Sequence, residues 1–194
     1  MKKKLILFFF VFTTITTLFK AQDSHLTFKG IPIDGKLNEF VIKMQNSGFH
    51  LISEENGIAM LKGDFASYKD CFIGVATLKN KDLVNKIVVV FPERETWSTL
   101  YNNYYSLKKL LTEKYGEPSH NVEKFDSYSE PKDDQNKMYE VKFDRCKYYS
   151  IFTTEKGNIE LSIDHNSVTS CFVKLAYFDE INGQIIENEA KSDL

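Results

Sequence analysis

Nine glycines, four prolines, three cysteines and one tryptophan are scattered over 194 residues, and none of them completes a motif that carries chemistry. The loops Gly-x-x-x-x-Gly-Lys-Ser/Thr and Gly-x-Gly-x-x-Gly are missing, so nothing cradles a phosphate or a dinucleotide, and no cofactor is expected. Neither Gly-x-Ser-x-Gly nor His-Glu-x-x-His occurs, which removes the commonest signatures of acyl transfer and of zinc proteases. No two cysteines share a Cys-x-x-Cys spacing, so the usual zinc and thiol-redox arrangements are absent as well. Asn-x-Ser/Thr acceptors are also lacking, which favours a bacterial periplasmic or secreted setting over a eukaryotic one. Beyond the N-terminus, no apolar run approaches the ~20 residues that a membrane-spanning helix requires.

What the chain does have begins with Met1-Lys2-Lys3-Lys4, an apolar run from Leu5 to Val11, a weaker Phe12–Phe19 stretch, and Lys20-Ala21-Gln22. A basic start, a short apolar centre broken by threonines and a small residue at its end read as a signal peptide over residues 1–21. Cleavage is expected near Ala21, with Phe19 standing where a small residue is customary. No cysteine follows the run, so a lipid-modified N-terminal cysteine has no residue to form on. The mature chain is expected to be periplasmic or secreted. Lys2, Lys3, Lys4 and Lys20 leave with the signal and no acid does, which moves the formal charge from -2 to -6. A diffuse negative field argues against a nucleic-acid or anionic-membrane partner, both of which need a positive footprint.

Cys71, Cys146 and Cys171 are odd in number, so at least one thiol stays unpaired within the chain, and their positions in apolar runs read as buried. The histidines, His25, His50, His120 and His165, lie far apart. Asp164-His165-Asn166 is the most ligand-like cluster, but three small polar residues between strands read first as a tight turn, and no metal is expected.

For organisation, the mature chain reads as α+β, with two similar helix-plus-antiparallel-four-strand units packed together, over residues 26–92 and 93–181. In the first, Asp34-Gly35 marks a turn and helix cap, and Leu37, Phe40, Val41 and Met44 fall on one helical face that ends at Gly48. Strand-like runs follow at Phe49–Ser53, Ile58–Phe65, Cys71–Leu78 and Leu83–Phe91, linked by hairpin-length turns such as Glu55-Asn56-Gly57. The second opens on a longer helical stripe of Trp97, Leu100, Tyr101, Tyr104, Leu107, Leu111 and Tyr115, capped by Thr96 and stopped by Gly116. Strand-like runs then fall at Val122–Ser127, Met138–Phe143, Lys147–Thr154, Ile159–Ile163 and Cys171–Phe178, with 128–137 as a mobile polar loop. Residues 182–194 read as a flexible acidic tail. The groove between the sheets of the two units is the first candidate surface.

Aromatic content is the one positive functional signal. Tyrosine is amphipathic and enriched at recognition surfaces. Most rings sit at core spacing, but Tyr105 falls off the helical stripe, and the Tyr148-Tyr149 pair must place one ring on each sheet face. These three are the candidate interaction residues.

The stretches Phe28-Lys29-Gly30-Ile31-Pro32-Ile33-Asp34-Gly35, Leu61-Lys62-Gly63-Asp64-Phe65 and Leu110–Pro118 resemble segments of uncharacterised exported proteins of Gram-negative bacteria. In element order, the tandem helix-plus-four-strand pattern is similar to the β-lactamase inhibitor protein and to small envelope-assembly lipoproteins. The first resemblance implies an export route and no activity. Together with the missing catalytic set, these features point to a non-catalytic module that binds a protein or peptide on a sheet face or strand edge. The alternatives are a hydrolase with a site assembled from distant residues, and a structural subunit of an envelope assembly.

Overall fold

A computed structural model describes residues 25–78 and 81–192, so the signal peptide read over 1–21 lies outside the described residues. The chain is α+β. Its elements run β1 (Thr27–Phe28), β2 (Ile31–Pro32), α1 (Leu37–Asn46), β3 (His50–Glu55), β4 (Ile58–Phe65), β5 (Tyr68–Thr77) and β6 (Val84–Val90). They continue as α2 (Trp97–Tyr115), β7 (His120–Phe125), α3 (Asp134–Lys142), β8 (Cys146–Thr154), β9 (Gly157–Asn166), β10 (Ser170–Asp179) and α4 (Glu180–Ser192).

Eight strands form one sheet in the order β3-β4-β5-β6-β10-β9-β8-β7, and β1 pairs with β2 separately. Every pairing is antiparallel; short links make this the natural outcome for the hairpin-connected strands, while β7–β8 and β6–β10 pair across longer connections. The first four long strands fill one half of the sheet and the last four the other, in mirrored order. They meet through the β6–β10 pair, where Val88 lies opposite Ala176. The sheet is therefore continuous, and the expected groove between two sheets does not exist.

Helices α1, α2 and α3 lie on one face of this sheet. Leu37, Phe40, Val41 and Met44 of α1 are buried there, as are Trp97, Leu100, Tyr104, Leu107 and Leu111 of α2. Thr96 caps α2 by accepting from the Thr99 N–H, and Gly116 closes it at φ 86°. The cap of α1 is not local. Lys36 precedes the helix without a side-chain bond, and the Leu37 N–H donates to Asp82 Oδ1 at 2.9 Å, so a residue of the β5–β6 loop replaces the expected Asp34. The β1–β2 hairpin delivers Phe28 into the core, where it stacks on Phe65 and meets Tyr177 edge-on.

Three segments depart from the sequence reading. Of Met138–Phe143, expected as a strand, Met138–Lys142 belongs to α3 with Phe143 as its C-cap, and the helix also takes Asp134–Lys137 from the loop expected over 128–137. Asp133 caps that helix through the Asn136 N–H at 2.8 Å, and only Met138 and Val141, three residues apart, are buried. Alternating apolar residues satisfied both periods, and the Asp133 cap decided for the helix. Residues 182–192, expected as a flexible tail, belong to α4, whose Asn182 is 2% exposed. Its side-chain amide donates to the Val84 carbonyl at 2.9 Å and the Ile33 carbonyl at 3.1 Å, which ties the helix to the end of the sheet. The tight turn expected at Asp164–Asn166 also moves: these residues are the end of β9, and the reversal falls at Ser167–Thr169.

Candidate functional site

Strand alternation divides every residue of the sheet between the helix-covered face and the opposite face. On β8, Cys146, Tyr148, Ser150 and Phe152 face the helices, and Lys147, Tyr149, Ile151 and Thr153 face away. The candidate tyrosines thus separate. Tyr148 lies half-buried against Trp97 at 5.1 Å and Phe125 at 5.6 Å, and burial pushes its phenol up to about 12. Tyr105 is half-buried against Tyr101 at 4.4 Å. Both are packing residues rather than a free surface. Tyr149 alone is on the opposite face, where its hydroxyl meets His120 Nε2 at 3.2 Å.

Tyr105 and its neighbours form a polar chain that holds α2 on the outer strands. The Tyr105 hydroxyl and the Lys108 ammonium both donate to the Glu123 carboxylate, and Lys108 also reaches Asn121 Oδ1 at 3.0 Å. The chain continues through Ser150 Oγ, 2.8 Å from Asn121 Oδ1, to the fully buried Tyr104 hydroxyl at 2.7 Å. Burial by itself would raise the Glu123 carboxyl, but Lys108 and Tyr105 outweigh it and hold the group below the usual carboxylate range. A depressed carboxyl contributes stability above its unfolded pKa and loses that contribution as pH falls through the folded one. Glu123→Gln is therefore expected to cost about 1–2 kcal/mol at pH 7 in urea unfolding. The difference should close below about pH 4. A penalty unchanged across that range would show that charge is not what Glu123 supplies.

None of the cysteines is a nucleophile in waiting. All three are buried and free, and burial raises the Cys71 thiol to about 11 and the Cys146 thiol to about 12. Cys171 lies opposite His165 in the β9–β10 register, but the His165 Nδ1–H donates to the Ser167 carbonyl, and burial raises the Cys171 thiol too. Cys146 and Cys171 stand on β8 and β10 with β9 between them, so their backbones are about 10 Å apart, beyond disulfide reach. His25 does meet carboxylates, Asp179 Oδ2 at 3.0 Å and Asp34 Oδ2 at 3.6 Å. This contact closes the N-terminal segment onto α4 instead of opening into a cleft. Among the described residues, no three His, Cys, Asp or Glu side chains are grouped as a metal site.

The feature that alternation exposes is the face opposite the helices. Register sets its residues in lateral rows. The middle row runs Met60, Gly74, Val88, Ala176, Glu160, Ile151 and His120. Gly74 and Ala176 keep its centre low, and a Cβ built at Gly74 would touch only Val88, at 3.9–4.0 Å. Phe72 rises on one side of this floor and Phe178 on the other, in adjacent rows. Phe72 is 44% and Ile58 49% exposed, a large apolar showing for a sheet face. Lys62 Nζ sits 5.7 Å from the Phe72 ring centre, and Lys86 Nζ 4.7 Å from that of Phe178.

At one end of this face, α4 and strands β7 to β10 border a cleft of about 570 Å³ lined by Ser119, His120, Ile151, Thr153, Asn158, Glu160, Phe178 and Glu180. Ser119 Oγ donates to the Ile151 carbonyl at 3.0 Å and lies 2.9 Å from Thr153 Oγ1. Apart from Tyr149, the sequence reading missed this surface. The alternation of Ile159-Glu160-Leu161-Ser162-Ile163 was a signal that Glu160 points away from the core, but its neighbours come from strands that only the sheet order brings together. No family model, curated protein or solved structure matches the chain.

Proposed function

We propose that the chain is an exported, non-catalytic module that binds a protein or peptide on the open face of its sheet. Export rests on the basic start and apolar run of residues 1–21. Binding rests on one observation above all. The face opposite the helices carries exposed Phe72 and Ile58 beside a low floor of Gly74 and Ala176, a shape that receives a partner's protruding side chains. Aromatic rings flanked by lysines suit such a contact, because they bury area and leave charge at the rim.

A photo-crosslinking amino acid placed at position 72, and separately at the exposed Lys109 of α2, tests the reading in envelope and culture-fluid extracts. The expected result is a discrete adduct from position 72 that Ile58→Lys abolishes, and none from position 109. Equal labelling from both positions, or none from position 72, would refute a binding role for the face.

A further inference from the structure

We infer that the cleft at the α4 end of the open face is an anchor pocket for a basic side chain, arginine or lysine, of the partner. The inference rests on the reading that this face binds a protein or peptide, and it supplies the chemistry of the contact.

The argument begins with Glu160. It is half-buried, its cross-strand neighbours Ala176 and Ile151 are both apolar, and its carboxylate has neither a hydrogen bond nor an ion pair among the described residues. Two other acids of the face are matched by lysines: Asp164 pairs with Lys174, and Asp70 with Lys62 at 2.8 Å. A carboxylate between apolar neighbours with no partner of its own is open to a charge-assisted hydrogen bond from an arriving cation. The cleft is built to bring one. Ile151 and Phe178 supply an apolar floor for an aliphatic stem, while Glu160 and Glu180 place two carboxylates on its walls. The Asn158 amide, which has no side-chain hydrogen bond among the described residues, adds a further acceptor. Lys86 over Phe178 shows that this ring accepts an ammonium on its surface. Among the described residues that line the cleft, the one basic side chain is His120, engaged with Tyr149. The loss of four signal lysines leaves the mature chain acidic, a field that steers a basic partner toward it.

The test titrates the isotope-labelled mature chain with Nα-acetyl-arginine methylamide. Two comparison probes are the neutral isostere Nα-acetyl-citrulline methylamide and N-acetylglucosamine, with the Ile151 methyl and the Asn158, Glu160 and Gly183 amides read by NMR. Saturable shifts at these positions are expected with arginine, weakening as salt is added. Citrulline should bind about five- to tenfold more weakly, and Glu160→Gln should reduce arginine affinity by about the same factor with an unchanged background spectrum. Equal binding of citrulline, shifts with the sugar alone, shifts elsewhere, indifference to Glu160→Gln, or no shift with any probe would each overturn the pocket. A chain that ignores arginine yet still crosslinks through position 72 has lost the anchor and kept the face, so the two failures are separable.

Discussion

Asp179→Ala is expected to destabilise the protein by about 3–5 kcal/mol, one of the two largest effects anticipated for a single substitution. The Asp179 side chain is completely covered, and its two oxygens serve three donors, two of them from the N-terminal segment and one from α4. Oδ1 accepts from the Leu26 N–H at 2.7 Å; Oδ2 accepts from the Asn182 N–H at 3.0 Å and from the His25 Nδ1–H at 3.0 Å. The Asn182 contact, three residues on, has the geometry of a helix N-cap, so the residue that ends β10 also starts α4. Alanine leaves two buried N–H groups without partners, each costing about 1–3 kcal/mol, and releases the segment that carries Phe28 into the core. Asp179→Asn keeps the shape and one acceptor, and should lose roughly half as much. Urea unfolding at pH 7 measures both. A loss below about 1 kcal/mol for the alanine variant would mean that the tie is not a strong structural element.

Gly157→Ala should be at least as damaging, with a cost above about 4 kcal/mol or failure to accumulate as folded protein. Gly157 opens β9 opposite Asp179, at φ 141°, a conformation that residues with a side chain rarely adopt. A Cβ there would stand 2.0 Å from the Phe178 carbonyl oxygen and 3.0 Å from the Glu180 nitrogen. Both obstacles are backbone, so no rotamer change relieves them, and the β9–β10 pair would have to part where α4 begins. Gly183→Ala is the control. Outside the backbone of its own helix and its chain neighbours, no atom lies within 4 Å of its would-be Cβ, and within a helix alanine gains about 0.5–1 kcal/mol over glycine. Thermal unfolding of the two variants should therefore move in opposite directions. A mild effect at Gly157 would show that the close approach of the two strands is not required. Because Phe178 and Glu180 also border the cleft, the Gly157 change should deform that pocket as well.

These strong effects converge on a region that local patterns described poorly. Leu37, Phe40, Val41 and Met44 announced α1, and the stripe from Trp97 to Leu111 announced α2, because a helix buries residues three and four apart wherever it docks. Asn56-Gly57 marked its hairpin because both residues tolerate positive φ, observed at 52° and 76°. α4 gave no comparable sign. Its docking turns on Asn182, whose partners Ile33 and Val84 lie 149 and 98 residues away. Tyr148 and Tyr149 were correctly divided between two faces, since neighbouring strand residues point oppositely; which face stayed open depended on where the helices lie.

The amino-acid order by itself determined the α+β class, the antiparallel hairpins, the two main helices and the outward direction of Glu160, because each follows from contacts a few residues apart. Only the tertiary structure decided that β6 pairs with β10 to make one sheet, that α4 folds onto its end, and that Glu160, Phe178 and Ser119 border one cleft. Those outcomes rest on pairings between residues far apart in the chain, and such pairings are selected by the packing of the whole core rather than by any local period.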